Sequence, residues 1–432
     1  MSEHFDAIII GAGIIGAATA YEMAKQGWKT LNVDKLPAAG YGSTSNSCAI
    51  IRTYYSTLDG CALALEGYHY WKQWPDYLAT ADELGLAAFI ECGSVVVKTE
   101  HNGYLRRILQ LADELGIPYQ EWEPAAIQQR LPIWDVHRYG PVRRPDDAGF
   151  GEAGAETIAG GVFFPQSGYI NDPQLATHNL QRAAEARGAR FRFNSAVSTI
   201  RQQGGRVRGV VLADGTELSA PVVVNIAGPH SAKINELAGI TTAIKTRALR
   251  HEVPHVPSPA DFNYETQGLV TSDRDVGCYT RPASGGRILI GSEDPPCDTR
   301  EWVDPDAFDR NLSEQSQVQA MRLGQRIPSL GIPNQIQGVV DLYDVSDDWI
   351  PIYDKTELPG FYLAIGTSGN QFKNAPVAGA MMAHLIQSCE QGQDHDRDPV
   401  PFNLRHIGRE ISIGFYSRNR KINKHSSFSV LG

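Results

Sequence analysis

The chain of 432 residues has no excess of positive charge, no long apolar run and no clustered cysteines. Lysine and arginine number 39 against 49 acidic residues, a formal net charge of −10 that argues against general nucleic-acid binding. No apolar run approaches the roughly 18 residues that span a bilayer, so we expect no membrane span. The six cysteines are scattered without a CxxC motif, as is typical of a reduced, cytoplasmic protein. Because strand-like sequence begins near Phe5, we expect no signal peptide.

The clearest motif is a glycine-rich turn near the start of the chain, where an apolar run over 7–10 leads into GAGIIG and a segment with helical periodicity. In such a motif the first glycine permits the tight turn, the second lets the backbone approach a pyrophosphate, and the third packs the helix on the strand. Here these glycines are Gly11, Gly13 and Gly16. Asp34 ends the next apolar run, where a carboxylate can accept hydrogen bonds from a ribose. The pattern predicts a bound dinucleotide, and it fits NAD and FAD equally.

A small polar loop, GYGSTSNS at 40–47, follows this motif. We expect it to return beneath the cofactor, with backbone and hydroxyl groups free for phosphate. The short apolar run that comes next ends in Arg52. An arginine in such a place is most often exposed or salt-bridged, so the residue pattern alone leaves a functional role open.

The sequence predicts two domains and a tail. After about residue 87 the strand–helix–strand pattern of the first βαβ unit ends, and short strands alternate with a helix and proline-bearing loops. The earlier pattern returns near Gly161. The predicted fold class is α/β (α+β overall), with a Rossmann-like dinucleotide-binding domain and a second, mostly antiparallel β-sheet domain that holds the substrate. The predicted bounds are 1–86, 151–235 and 335–395 for the first domain, 87–150 and 236–334 for the second, and 396–432 for the tail. A solvated or oligomer-bridging role is predicted for the basic run in the tail, Arg418, Arg420, Lys421 and Lys424.

A literal HExxH motif occurs at 251–255. Zinc binding by this motif requires both histidines on one face of a helix. Pro254 lies inside the motif and its neighbours alternate as in a strand, in which residues four apart are separated by roughly 13 Å. Two histidines at that distance cannot share one zinc ion, so we predict no metal and interpret His251 and His255 as residues on the same face of a sheet.

The far end of the chain distinguishes between the two dinucleotides. An apolar strand, the segment from Gly366 to Lys373 and a helix that begins with proline together resemble the flavin-facing element of the D-amino acid oxidase superfamily. The closest likeness is to its monomeric sarcosine oxidase and glycine oxidase branch. Five pieces match in the same order: GAGIIG with Asp34, GSTSNS with IIR, GYINDPQLA, VVVNIAGPHS and GTSGNQFKNAP.

The resemblance implies FAD as the cofactor. Relatives with covalent flavin use a cysteine in the segment matching 341–343 or a histidine at the position of Asn46, and this chain has neither, so non-covalent FAD is expected. The predicted cofactor-binding residues are Gly11, Gly13, Ile14, Ile15, Gly16, Asp34, Lys35, Ser43, Thr44, Ser45, Ile51, Ala227, Gly228, Gly366, Gly369, Asn370, Gln371, Phe372 and Lys373.

The resemblance also implies an activity, the oxidation of a small carboxylate-bearing secondary amine or amino acid, such as an N-substituted glycine, by hydride transfer to flavin N5 and imine hydrolysis. In sarcosine oxidases, an arginine and a lysine at the positions of Arg52 and Lys373 hold the substrate carboxylate, so these two are the predicted catalytic residues. Strands of the substrate domain carry four further candidates for a second polar group, as in iminodiacetate: Arg250, His251, Tyr279 and Arg281. Structural salt bridges explain these four equally well.

Several alternatives stay open. The substrate can instead be a D-amino acid or a cyclic imino acid, or the chain can be a flavin-binding subunit of a redox complex without its own substrate. The lysine that resembles an oxygen-activating residue in the oxidases aligns with Leu289, or with Arg287 in a shifted register, so the electron acceptor can be O₂ or a carrier protein. The partners expected are thus a small molecule and an electron acceptor, and the sequence leaves the oligomeric state undetermined.

Overall fold

The computed structural model describes residues 4–100 and 102–432. A six-stranded sheet, called here the parallel sheet, forms the centre of the first half of the molecule. Its neighbouring strands are, in order, Ile352–Lys355, Phe361–Ile365, Val222–Asn225, Ala7–Ile10, Thr30–Val33 and Arg190–Arg192. All neighbours are parallel except the first pair, which is antiparallel. The predicted Rossmann-like arrangement is confirmed.

The inner strands Ala7–Ile10, Val222–Asn225 and Phe361–Ile365 are fully buried and mostly apolar because both faces of the sheet are covered. Alternate residues of the strand Ala7–Ile10 belong to two different hydrophobic cores. The core on one face contains the helices Ile14–Lys25, Pro173–Glu185 and Ala375–Glu390. The core on the other face contains the helix Ser231–Ala238 and a three-stranded sheet of Val197–Gln203, Arg206–Leu212 and Glu217–Ser219.

Local signals set the ends of these helices. Asp172 caps the helix Pro173–Glu185, its carboxylate accepting a hydrogen bond from the N–H of Leu175 at 2.9 Å. Small residues let the helices Ile14–Lys25 and Ala375–Glu390 approach closely, since a Cβ added at Gly379 would lie 2.6 Å from the carbonyl carbon of Ala18. This close packing brings the chain's first and last long helices together.

A nine-stranded sheet, called here the large sheet, forms the second half. Its main path runs through Glu301–Trp302, Thr246–Pro257, Arg287–Ser292, Cys278–Ala283, Val270–Asp273, Ser94–Val97, Gly161–Phe164 and Gln120–Trp122, and Gln337–Ser346 also pairs with Thr246–Pro257. Only the contact between Val270–Asp273 and Ser94–Val97 is parallel, so the mostly antiparallel prediction is confirmed. The domain bounds stay a prediction, and two segments assigned to the first domain, 151–235 and 335–395, contribute strands to the large sheet.

The remaining elements connect the two sheets. Small sheets pair Ile50–Ile51 and Phe89–Ile90 with Gly168–Ile170, and Pro401–Leu404 with Arg409–Ser412. The other helices are Leu58–Lys72, Trp74–Leu78, Leu105–Leu115, Pro124–Arg130, Tyr264–Gln267 and Glu314–Arg326, with 3₁₀ turns at Gly228–His230, Phe372–Asn374 and Ile413–Tyr416. Within the described residues, every helix is too short or too polar to cross a membrane.

Two sequence expectations have different outcomes. His251 and His255 lie in the strand Thr246–Pro257, so the strand interpretation of the HExxH motif is confirmed. The prediction of a solvated basic run is wrong for its arginines. Arg418 is buried and pairs with Asp354 at 3.0 Å, while Arg420 pairs with Asp348 at 2.7 Å. These ion pairs fasten the tail to the edge strand Ile352–Lys355 of the parallel sheet and to the turn before it.

Candidate active site

A cavity of about 1050 Å³ is lined from both sheets, by the turn after the strand Ala7–Ile10 and by side chains of the large sheet such as His251 and Tyr343. This volume lies at the upper end of the usual range for ligand pockets, so the cavity can hold a ligand as large as a dinucleotide. All predicted cofactor-binding residues line it except Ser45, Ile51, Gly366 and Asn370.

The glycine turn forms one end of the cavity. Gly11 has a φ of 116°, and a Cβ there would lie 2.2 Å from the carbonyl oxygen of Ile226. A Cβ at Gly16 would lie 2.3 Å from the carbonyl oxygen of Gly11, so the helix can pack this tightly only with glycine. Gly13 caps the helix without a side chain, and the next N–H, that of Ile14, donates to Thr44 Oγ1 at 3.2 Å. These glycines fit the predicted dinucleotide.

Asp34 lies at the same end of the cavity. Its carboxylate accepts hydrogen bonds from the N–H groups of Ala12 at 2.7 Å and Leu36 at 2.9 Å. Burial raises the pKa of Asp34, and the two backbone hydrogen bonds oppose this shift. A carboxylate has about four acceptor positions, so two remain for ribose hydroxyls.

Lys35 also lines this end, but its ammonium is engaged by the protein. Its Nζ donates to Asp306 at 2.6 Å, and Lys233 Nζ donates to the same carboxylate at 2.7 Å. These hydrogen bonds hold the pKa of Asp306 far below its usual value. Asp306 belongs to residues 303–312, called here the covering segment, which follow the large-sheet strand Glu301–Trp302 and contribute several residues to the cavity wall. The covering segment is thereby clamped to the parallel-sheet half of the molecule.

The polar loop at 40–47 is joined to the large sheet through Asp341. Ser43 Oγ donates to one oxygen of this carboxylate at 2.8 Å, and Asn46 Nδ2 donates to the other at 2.7 Å. All three residues line the cavity. Neither Asn46 nor Asp341 offers a thiol or imidazole that could bond covalently to a flavin.

Four predicted cofactor-binding residues lie behind the cavity wall, and their assignment to the cofactor stays a prediction. Ser45 Oγ donates to Gly42 O and shapes the loop. Ile51 is fully buried in the core, and Gly366, with a φ of 67°, makes the turn after the strand Phe361–Ile365. The carbonyl oxygen of Asn370 accepts a hydrogen bond from Lys373. These residues support the wall without facing the cavity.

Arg52 lies in the cavity wall with 7% of its surface exposed. One guanidinium nitrogen donates to the carbonyl oxygen of Tyr54, and another to that of Val430. The ring of Tyr54 lies 5.3 Å from the guanidinium carbon, and the ring of Tyr55 lies 4.4 Å from it. Carbonyls and aromatic faces orient this cation without neutralising its charge.

Lys373 lies in the 3₁₀ turn Phe372–Asn374 and is 4% exposed. Its Nζ donates to Asn370 O at 2.8 Å and to Tyr55 Oη at 3.2 Å. Trp71 Nε1 donates to the carbonyl oxygen of Lys373 at 2.8 Å and so fixes the turn. Burial, and secondarily the charge of Arg52, hold the pKa of Lys373 well below its ordinary value of 10.5.

Arg52 and Lys373 therefore place two buried basic side chains on one cavity. Over residues 4–100 and 102–432, no aspartate or glutamate forms an ion pair with either of them. Uncompensated buried charge is costly, and such cations normally meet an anion. The arrangement, called here the anion site, has one forked and one point-like donor, a combination suited to a carboxylate.

The predicted substrate-binding residues divide into two groups. His251 and Tyr279 line the cavity; His251 stacks on Tyr343 at 4.1 Å and its Nε2 has no hydrogen-bond partner. Arg250 and Arg281 lie outside the lining. Arg250 donates to Glu252 at 2.7 Å and to carbonyl groups of 309 and 311, so it anchors the covering segment, and its assignment to substrate stays a prediction.

Sequence reasoning missed several lining residues. They are Tyr54, Tyr104, Glu293, Tyr343 and Val430. Glu293 opens an acidic loop directly after a strand, which is the one sequence signal for it. The others belong to core-like or tail segments, and only the fold brings them to the cavity.

Comparison with known proteins agrees with this geometry. Residues 6–385 match the family described as FAD dependent oxidoreductase. The chain is similar to glycine oxidase of Geobacillus kaustophilus, with 24% identity over 95% of this chain and 99% of that one, and to sarcosine oxidase subunit beta of Rhizobium meliloti, with 26% identity over 89% and 84%. Its fold is similar to that of L-proline dehydrogenase from P. horikoshii, with a TM-score of 0.75 and 21% identity over 90% of this chain and 95% of that one. The chain therefore belongs to the family of FAD dependent oxidoreductases, and its cofactor is FAD held without a covalent bond.

Proposed function

We propose that this enzyme oxidises a small carboxylate-bearing secondary amine or amino acid, such as an N-substituted glycine, and that the resulting imine is then hydrolysed. The observation that carries this proposal is the pair of buried basic side chains, Arg52 and Lys373, which line the cavity and have no acid partner among residues 4–100 and 102–432. The names of the relatives support the same substrate class, since glycine, sarcosine and proline are all small amino acids with a single carboxylate.

Arg52 and Lys373 would bind the substrate through its carboxylate. A guanidinium can contact both carboxylate oxygens, while an ammonium adds a compact charge at one of them. Fixing the carboxylate limits where the adjacent carbon can lie, and such orientation supplies much of the rate of an enzyme reaction. Bound FAD supplies a hydride acceptor at N5.

Lys373 can also receive a proton. An amino acid enters as a zwitterion, and its amine must lose a proton before the carbon–hydrogen bond is oxidised. Because burial lowers the pKa of Lys373, its Nζ is a suitable acceptor for that proton. Once protonated, the ammonium carries the positive charge that pairs with the substrate carboxylate. Proton transfer and carboxylate binding then support each other.

The electron acceptor is O₂ or a carrier protein. The residue aligned with the oxygen-activating lysine is Leu289, or Arg287 in a shifted register, and the apolar Leu289 pairs across the large sheet with Arg281. A buried arginine, 5% exposed, thus lies beside the position where a lysine is missing. Peroxide yield per turnover in air measures the choice of acceptor.

The proposal is tested by mixing the holoenzyme with amines in the absence of oxygen and following the loss of flavin absorbance. The panel is sarcosine, glycine, D-alanine and both enantiomers of proline, each beside its carboxamide. We expect at least one free acid to reduce the flavin and its amide to react far more weakly. Reduction by D-alanine or proline alone would instead support a D-amino acid or cyclic imino acid enzyme. No reduction by any of these acids would overturn the proposal in favour of a flavin-binding subunit.

A further inference from the structure

Glu293 introduces a negative charge into the cavity wall. It directly follows the strand Arg287–Ser292, and its side chain is 8% exposed. Ser272 Oγ donates to Oε1 at 2.6 Å. Arg274 Nε lies 3.5 Å from Oε2 without a hydrogen bond and belongs to a residue outside the lining. The carboxylate is therefore fixed in place by Ser272, and its ion pair with Arg274 lies behind the cavity wall without a hydrogen bond.

Tyr54 connects this acid to the anion site. Its ring lies 5.3 Å from the Arg52 guanidinium carbon, and its hydroxyl lies 3.4 Å from Ser94 Oγ. Ser94 pairs with Val270, which is two residues, or about 7 Å, from Ser272 along the same strand. Burial raises the pKa of Tyr54, with Arg52 opposing this shift and Glu293 adding to it. The positively charged Arg52 and the negatively charged Glu293 thus line the same cavity on either side of Tyr54.

We propose that Glu293 is a specificity-determining residue that restricts the enzyme to monocarboxylate substrates, an inference that rests on the proposed function. With one carboxylate on Arg52 and Lys373, a second carboxylate on the substrate would meet Glu293. Like charges repel strongly in a buried chamber, and such repulsion is a common means of rejecting a competing ligand. A neutral or cationic second group would instead find an acceptor. Dicarboxylates of the iminodiacetate type are therefore rejected.

The test compares a dicarboxylate with its monoamide, which has nearly the same shape and one charge less. The reactive pair is iminodiacetate and its monoamide, and the unreactive pair is oxydiacetate and its monoamide. Specificity constants are measured for the first pair, and dissociation constants, from the absorbance of bound FAD, for the second. We expect wild type to have a higher specificity constant for the reactive monoamide, and a lower dissociation constant for the unreactive one, than for the matching dicarboxylate. Glu293→Gln should reduce this monoamide-to-dicarboxylate ratio about ten- to hundredfold. Glutamine keeps an acceptor for Ser272, so the variant retains the local hydrogen bond.

The control is Glu217→Gln, which removes the same charge from an exposed position on the small three-stranded sheet. This variant leaves the preference unchanged. An unchanged preference in Glu293→Gln, measured with the unreactive pair, would overturn the inference whether or not any amine is oxidised. A narrowed preference combined with no oxidation of any amine would overturn the proposed function and leave the inference standing.

Discussion

Replacing Lys373 by methionine tests the anion site directly. The change keeps the unbranched side chain up to Cε and removes the amino group, while Tyr55 Oη still donates to Asn370 O. A hydrogen bond to a charged group contributes about 1.5–3 kcal/mol. Loss of the ammonium should therefore weaken the binding of a small carboxylate roughly ten- to hundredfold, since about 1.4 kcal/mol corresponds to a factor of ten. The buried site, 4% exposed, leaves little room for solvent to replace the lost contact.

The assay is a titration of the FAD-saturated protein with methoxyacetate, an oxygen isostere of sarcosine that cannot form an imine. Binding is followed by the absorbance of FAD, and methoxyacetamide provides the uncharged match. Lys355→Met is the control variant, because Lys355 pairs with Asp396 at 2.8 Å and lies outside the cavity lining. We expect Lys373→Met, but not Lys355→Met, to weaken the binding of methoxyacetate, and we expect neither change to affect the binding of methoxyacetamide. A change below about twofold, or an equal change for acid and amide, would refute the assignment of Lys373 to the carboxylate.

Three further predictions concern pH, cofactor retention and packing. The pKa of Lys373 is lower in the folded chain than in the unfolded chain, where it is about 10.5, so at a pH between the two the unfolded chain binds more protons. The free energy of unfolding of the apo wild type, measured in urea, should therefore increase relative to that of Lys373→Met as the pH rises toward 10.5. A difference between the two proteins that does not change with pH would contradict this. Asp306→Asn should speed FAD release, followed by flavin fluorescence, roughly two- to fivefold, and salt should speed release more in wild type than in the variant. Gly379→Ala should lower the free energy of unfolding by about 1–3 kcal/mol, whereas Gly331→Ala, with open space at its Cβ, should not.

Elements with local signals were predictable from the sequence. The strand 7–10, the glycine turn and the acid Asp34 form a unit of about 30 residues whose parts are specified by neighbours in the chain. Asp172 identified the start of its helix because a cap needs only the next three residues. The position of Lys373 in the wall agrees with the resemblance, since the turn that carries it is also a local structure.

Contacts between distant segments were not predictable. Arg250 and Lys35 have the residue types of binding groups, but Arg250 donates to the carbonyl oxygen of Asp309 and Lys35 donates to Asp306, and nothing near them in the sequence indicates these partners in the covering segment. Arg418 looks solvated as part of a basic run and is buried because Asp354 and Asp396 lie beside it. Periodicity and composition describe neighbours along the chain, whereas these pairings depend on how loops of two sheets meet.

The contact between Arg52 and Val430 joins residues 378 positions apart. Ser56, four residues after Arg52, also donates its N–H to Leu431 O at 3.0 Å, so the segment near 430 and the arginine hold each other. A carboxylate bound at Arg52 should therefore slow opening of that segment, and protease cleavage near 430 should become slower as the acid concentration rises. Occupancy of the anion site can thus be measured by the rate of cleavage near residue 430, independently of the flavin absorbance.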